Sequence, residues 1–268
     1  MSDGQLDLFS VANIRAEPAS PEAIGPPEPV PADLADAALV AAIPDAGLAA
    51  GPALAAEAGR RRLVAAVPAL EALCRRFAGF GMHRLVPEQA AALQALEAIG
   101  GREAAQAVGR MLSKAVVVGP ALNLAVAAAA GLRSDLPVNA VLVLLRHADP
   151  GIRAEACGCV RPSPDIVSVL IDLLDDLDDR VARSAACALG RMGRAEARAM
   201  LVRLLREEPS DEVIAAVSLI ADEECIVLLG RIARTTRDLA DSALDALDGI
   251  EHPRAISLVT GLRGASAA

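Results

Sequence analysis

Cysteines, histidines and clustered carboxylates are the side chains that could do chemistry here, and their spacing is unpromising. Cys74, Cys157, Cys159, Cys187 and Cys225, with His83, His147 and His252, are scattered along 268 residues. Thiolates and imidazoles at ligand spacing would hold zinc, and a cysteine beside a histidine would make a nucleophile. Neither pattern occurs. Cys157 and Cys159 are two apart, which on a helix sends their side chains in different directions, and no Cys-x-x-Cys pair or nearby histidine accompanies them. Cysteine here reads as a small buried apolar residue standing in for alanine. The acidic run Asp172, Asp175, Asp176, Asp178 and Asp179 could attract a cation. Its later members, however, stand where a helix N-cap belongs, and carboxylates favour that end of a helix. There is no phosphate-cradling glycine loop and no Ser/His/Asp arrangement. The expectation is a non-enzymatic chain without catalytic, cofactor-binding or metal-binding residues.

Recognition is a better prospect than catalysis. The chain has no Trp, no Tyr and three Phe, and one of these, Phe9, closes the string Gln5-Leu6-Asp7-Leu8-Phe9. Residues 10 to about 32 hold six prolines (Pro18, Pro21, Pro26, Pro27, Pro29 and Pro31). Proline removes backbone donors and blocks helix propagation, so residues 1–32 read as a disordered tail with a semi-rigid linker. An aromatic ring in such a tail needs a surface to bury it. The string resembles the Gln-Leu-(Ser/Asp)-Leu-Phe peptide with which bacterial proteins dock on the replication sliding clamp. That resemblance implies that Leu8 and Phe9 fill an apolar pocket, Leu6 takes a lesser site and Gln5 bonds backbone at the rim. At common residue frequencies a random chain this long carries such a string roughly once in a thousand tries. Docking of the same residues on the chain's own first helices is the competing reading.

The elements that must position such a tail are legible in composition and repeats. Apolar residues make up 54% of the chain, enough for a sizeable core. The net charge of −9 argues against a large nucleic-acid footprint or an anionic membrane surface as partner, since both need clustered cations. An odd number of cysteines and a start with neither a basic nor an apolar leader segment suit a cytoplasmic, reduced protein. The uncharged stretch 115–132 is long enough to raise a membrane span, but Gly119-Pro120 and Asn123 interrupt it, and it reads as a buried helix.

The body repeats. Ala95-Leu96-Glu97-Ala98-Ile99-Gly100 aligns with Ala188-Leu189-Gly190-Arg191-Met192-Gly193 at a shift of 93, three periods of 31. Leu144-Leu145, Leu173-Leu174 and Leu204-Leu205 recur at shifts of 29 and 31. Two apolar helical runs per period of about 30 make an α-solenoid. Asp149, Asp178 and Ser210 supply N-cap oxygens, Gly190 and Gly193 turn the chain, and six pairs begin near 87, 119, 150, 179, 211 and 237. Residues 33–84 read as an irregular helical cap, with Asp33 capping a first helix that ends before Pro44. A second helix then spans 53–66, and a third follows Pro68 with Leu70, Leu73, Cys74 and Phe77 on one stripe. Residues 85–268 form the solenoid.

The segment Asp178-Asp179-Arg180-Val181-Ala182-Arg183-Ser184-Ala185-Ala186-Cys187-Ala188-Leu189-Gly190 resembles the short HEAT-like repeat of phycobilin lyase subunits and many bacterial scaffold proteins. The resemblance covers about 85–263. Ile152-Arg153 keeps the family's Val-Arg step, displaced by one to Arg183 in the next unit. It implies stacked antiparallel helix pairs and a scaffold for protein partners, as an adaptor or an assembly factor. HEAT-like alkylpurine DNA glycosylases share the fold class, but they need a basic face and aromatic side chains, which an acidic chain without Trp or Tyr does not offer.

Overall fold

The computed structural model describes residues 30–266. Residues 1–29, and with them the Gln5–Phe9 string, lie outside that part. Fifteen α-helices are found among the described residues, and no strand.

The architecture follows from alternating turns of one kind. After α1 (Asp36–Ala42), helices fall into consecutive antiparallel pairs: α2 (Ala50–Arg60) with α3 (Val67–Arg76), α4 (Pro87–Ile99) with α5 (Gly101–Ser113), and α6 (Pro120–Gly131) with α7 (Val138–Leu145). The stack continues through α8 (Pro150–Ala156) with α9 (Pro164–Asp172), α10 (Asp179–Arg191) with α11 (Arg198–Glu207), α12 (Asp211–Val217) with α13 (Glu223–Thr235), and α14 (Ala240–Asp248) with α15 (Pro253–Ser266). First helices stack on first helices, α2 on α4 through to α12 on α14. Second helices form the other layer, with α3 on α5, α7 on α9, and α11, α13 and α15 in sequence. The molecule is an all-α solenoid of two thin layers.

Helix pairing begins earlier than position 87. The segment 33–84 contains the α2–α3 pair, stacked on α4 and α5 as the later pairs stack on each other. Asp33 does not cap α1: it belongs to a 3-10 turn, Pro31–Asp33, and α1 starts after Ala35 with no side-chain cap. The second helix is shorter and earlier than 53–66, because Arg62 turns the chain at φ 51°. The third keeps its stripe, with Leu70, Leu73 and Cys74 fully buried.

Capping oxygens stand where the sequence places them. Asp149 accepts from the backbone N–H of Gly151, Asp178 from Arg180 and Ser210 from Val213. Ser163 and Asp222 do the same for α9 and α13. Each such cap is worth about 1 kcal/mol. Between the caps, Val181, Ala185, Ala186 and Leu189 are fully buried on α10, and Leu201 faces them from α11.

Gly190 has a different role from the turn assigned to it. It lies inside α10, and a Cβ there would overlap the Ala216 carbonyl oxygen of α12 and come within 2.7 Å of a Leu201 methyl. The absent side chain lets two first helices touch backbone to backbone. Gly59 does this against Ala95, where a Cβ would lie 2.8 Å from the Ala95 Cα. The turn belongs to Gly193, at φ +70°, matching Gly100 at φ +72°, its aligned residue three periods earlier. The uncharged stretch 115–132 is divided between a loop and α6. Among the described residues no helix is long and apolar enough to cross a membrane.

Candidate functional site

The chemically suggestive side chains are absorbed by the fold. All five cysteines are buried and unpaired. Burial pushes the thiols of Cys74, Cys157, Cys159 and Cys187 up to about 12 and raises that of Cys225, so none supplies a thiolate near neutrality. All five belong to the continuous buried core, a place that alanine also fills along the stack. The three histidines stay apart. His147 and His252 each accept a local backbone N–H through Nδ1, from Asp149 and Arg254, and His83 is exposed. Among the described residues no group of three or more His, Cys, Asp and Glu is placed to hold a metal ion.

The acidic run is a structural joint. Asp176 receives Nε and a terminal nitrogen of Arg153 at 2.9 and 2.8 Å, and also the backbone N–H of Asp178. Arg153 spends its other terminal nitrogen on the carbonyls of His147 and Ala148. One guanidinium thus ties the start of α8 to the turn before α10, and its proximity holds the Asp176 carboxyl below the usual range. The dense arginines nearby are mostly paired: Arg180 with Asp178, Arg183 with Glu208, Arg191 with Glu212, Arg194 with Glu196, and Arg198 and Arg206 with Glu224. They lie at the surface and make a neutralised face rather than a basic groove.

Unpaired positive charge sits elsewhere. A cleft of about 640 Å³ between α5 and the turn after α6 is lined by Arg102, Arg110, Lys114, Arg133 and Arg161, with Asp135 as the one carboxylate. Arg110 is engaged by Glu71 and Arg161 by Asp135. Arg102, Lys114 and Arg133 have no carboxylate partner among the described residues. Lys114 is the one lysine of the chain.

A second, apolar recess lies at the N-terminal end of the stack. Leu48, Phe77, Phe80, Leu85, Val86 and Pro87 line a groove of about 630 Å³ rimmed by Arg76 and Arg84. Phe80 is 64% exposed and Leu48 69%. Phe77 and Phe80 meet edge to face with centroids 6.5 Å apart, and the Arg76 guanidinium lies 5.3 Å from the Phe77 centroid. Arg76 also holds the carbonyls of Pro44 and Ala46, fixing the wall that carries Leu48.

This exposed aromatic loop is held firmly from below. Gln89 is fully buried in the first turn of α4, and its Nε2 donates to the carbonyls of Cys74 and Phe77, both at 3.2 Å. On the other side Gly119, at φ +60°, brings its backbone against Gly81 and Met82; a Cβ there would overlap the Gly81 carbonyl oxygen. Phe80, Leu48 and Leu85 thus lie together as exposed apolar surface on a fixed frame. Sequence reading placed Phe77 on the α3 stripe and gave Phe80 no role. The available signal was that two of the three Phe fall within four residues, in a loop punctuated by Gly79 and Gly81.

Stacked antiparallel pairs define an α-solenoid. Residues 138–221, from α7 to the turn after α12, match the family model described as HEAT repeats. No curated protein matches the chain. These residues are HEAT-like, and that repeat class suggests, at a general level, a scaffold for protein interaction.

Proposed function

We propose that the protein is a non-enzymatic adaptor whose N-terminal peptide, Gln5 to Phe9, docks on the bacterial replication sliding clamp while the solenoid holds a second protein. The observation that carries this reading is the uninterrupted Gln5-Leu6-Asp7-Leu8-Phe9 string ahead of a proline-rich linker. Two or three apolar anchors on a tethered peptide suit a preformed pocket on another protein. The tether then raises the local concentration of whatever the solenoid carries. For that second partner, the cleft at Arg102, Lys114 and Arg133 offers uncommitted cations in an otherwise acidic chain, which suits an acidic protein segment rather than a duplex backbone.

The test is titration of a labelled peptide covering Met1 to Arg15 with the sliding clamp of the same host, beside a Leu8→Ala/Phe9→Ala control. Binding near micromolar, about 8 kcal/mol, that disappears in the control is the expected result. Absence of binding removes the clamp and leaves the second reading, a HEAT-like assembly factor unrelated to DNA, which the repeats alone support.

A further inference from the structure

We infer that the groove at Phe77 and Phe80 is a docking site for the chain's own residues 5–9, so that the peptide has an address in cis as well as on a partner. The inference shares the Gln5–Phe9 string with the clamp reading but does not depend on clamp binding.

Four observations lead to it. The first is aromatic economy. The chain has three aromatic side chains: Phe77 and Phe80 form the groove, and Phe9 closes the peptide. An edge-to-face pair with one ring exposed offers a third ring a stacking partner at the separations aromatic groups prefer. Leu48 and Leu85, both exposed on the same recess, provide the aliphatic surface that Leu6 and Leu8 need.

The second observation is charge. Asp7 stands between the apolar anchors and Asp3 just ahead of them. The groove rim carries Arg76 and Arg84, and Arg84 has no partner among the described residues. Glu88 also lines the recess but is buried. The exposed rim is therefore cationic where the peptide is anionic.

The third is reach. The described chain is anchored where it begins: Arg61 donates to the carbonyls of Pro31, Ala32 and Leu34 and to the Asp36 carboxylate. Arg61 follows the last residue of α2, whereas Leu48 precedes its first. Anchor and groove are thus separated by about the length of an 11-residue helix, roughly 16 Å at 1.5 Å per residue. Residues 10–29 join Phe9 to Val30, and a proline-rich chain of that length extends to about 60 Å. The peptide reaches the groove with slack, and the tether gives it an effective concentration near millimolar.

The fourth is preorganisation. Gln89 and Gly119 fix the loop that carries Phe80. The groove is ready-made, and docking need order only the peptide.

The chain has no Trp, so Phe9→Trp in the intact protein supplies a single indole reporter at the anchor position. The expected result is emission blue-shifted from that of the isolated Met1–Val30 peptide with the same substitution, and independent of protein concentration. Adding Phe80→Asp, or Leu6→Ala/Leu8→Ala, should return emission to the peptide value. Three results overturn the inference: emission equal to the free peptide's, a shift insensitive to Phe80→Asp, or a shift that grows with concentration and so reports a second copy.

The clamp enters only in a separate arm. If the peptide binds both, the intact protein should bind clamp more weakly than its Phe80→Asp variant by at least about fivefold, the reciprocal of the undocked fraction. Failure of the isolated peptide to bind clamp would remove the adaptor reading and leave the fluorescence result to decide the groove.

Discussion

The loops before α4 and before α10 occupy the same topological place, each leading from a second helix into the next pair, yet they are built to opposite ends. Residues 173–178 form an ionic joint: Asp176 is clasped by Arg153, Asp178 caps α10, and the ionic groups satisfy one another. Residues 77–86 form an open platform, supported beneath by the neutral Gln89 amide and the Gly119 backbone and topped by an exposed ring. Both devices hold a loop to its helix pair. The ionic clasp fixes its loop to α8 and leaves a lone apolar side chain, Leu177, in solvent, whereas the buried amide underlies a loop whose exposed ring lines an apolar recess with Leu48 and Leu85. Stability and display are separable properties of one repeat position.

Breaking the frame at Gly119 is the strongest test of that contrast. Gly119→Ala meets both a left-handed backbone and an overlap with Gly81, and a loss of about 3 kcal/mol is expected in urea unfolding. Hydrogen exchange should rise first in residues 77–86. Gln89→Leu comes next. It removes one of two donors from each of the Cys74 and Phe77 carbonyls, which keep the Phe77 and Phe80 N–H groups, and the expected loss is about 2 kcal/mol, one net hydrogen bond each. At the ionic joint, Arg153→Met leaves Asp176 with the Asp178 N–H as its one remaining partner and frees two carbonyls at the edge of solvent, and the expected loss is about 1–2 kcal/mol.

Acid separates the two loops further. Asp176 is held below its ordinary value by Arg153. Its stabilisation is therefore complete above about pH 4, the unfolded value, and is lost as pH falls through the lower folded value. The penalty of Asp176→Asn should shrink as pH falls below about 4, while that of Gln89→Leu, a neutral amide, should not change. Glu57, drawn down to about 2 by Arg60 and then Arg61, adds to the acid sensitivity near the anchored N-terminal segment. The smallest effect belongs to Phe80→Asp, within about 0.5 kcal/mol, because the ring is exposed. A large loss there would mean that the platform is core and the comparison false.

The solenoid was legible because its signals are local and repeated. Asp149, Asp178 and Ser210 cap helices from the residues beside them, and Leu189 and Leu201 fall on faces that any helix of that spacing would bury. What escaped were contacts between elements distant in sequence. Gly190 resembles a turn glycine until α12 is seen against it, and Gln89 gives no hint in its neighbours that it lies beneath residues 74–77. The groove escaped for the same reason, since Leu48 and Phe80 meet only once α2, α3 and α4 are stacked.

The buried cysteines carry a consequence for how the molecule comes apart. They are distributed along the stack, with Cys74 in α3, Cys157 and Cys159 after α8, Cys187 in α10 and Cys225 in α13. A linear stack opens locally rather than all at once, each pair depending on its neighbours. Every thiol is therefore a clock for the pair that covers it, silent to alkylating reagents until that pair lifts. Pulse labelling followed by peptide mapping would read, from one unmodified chain, the order in which the column frays.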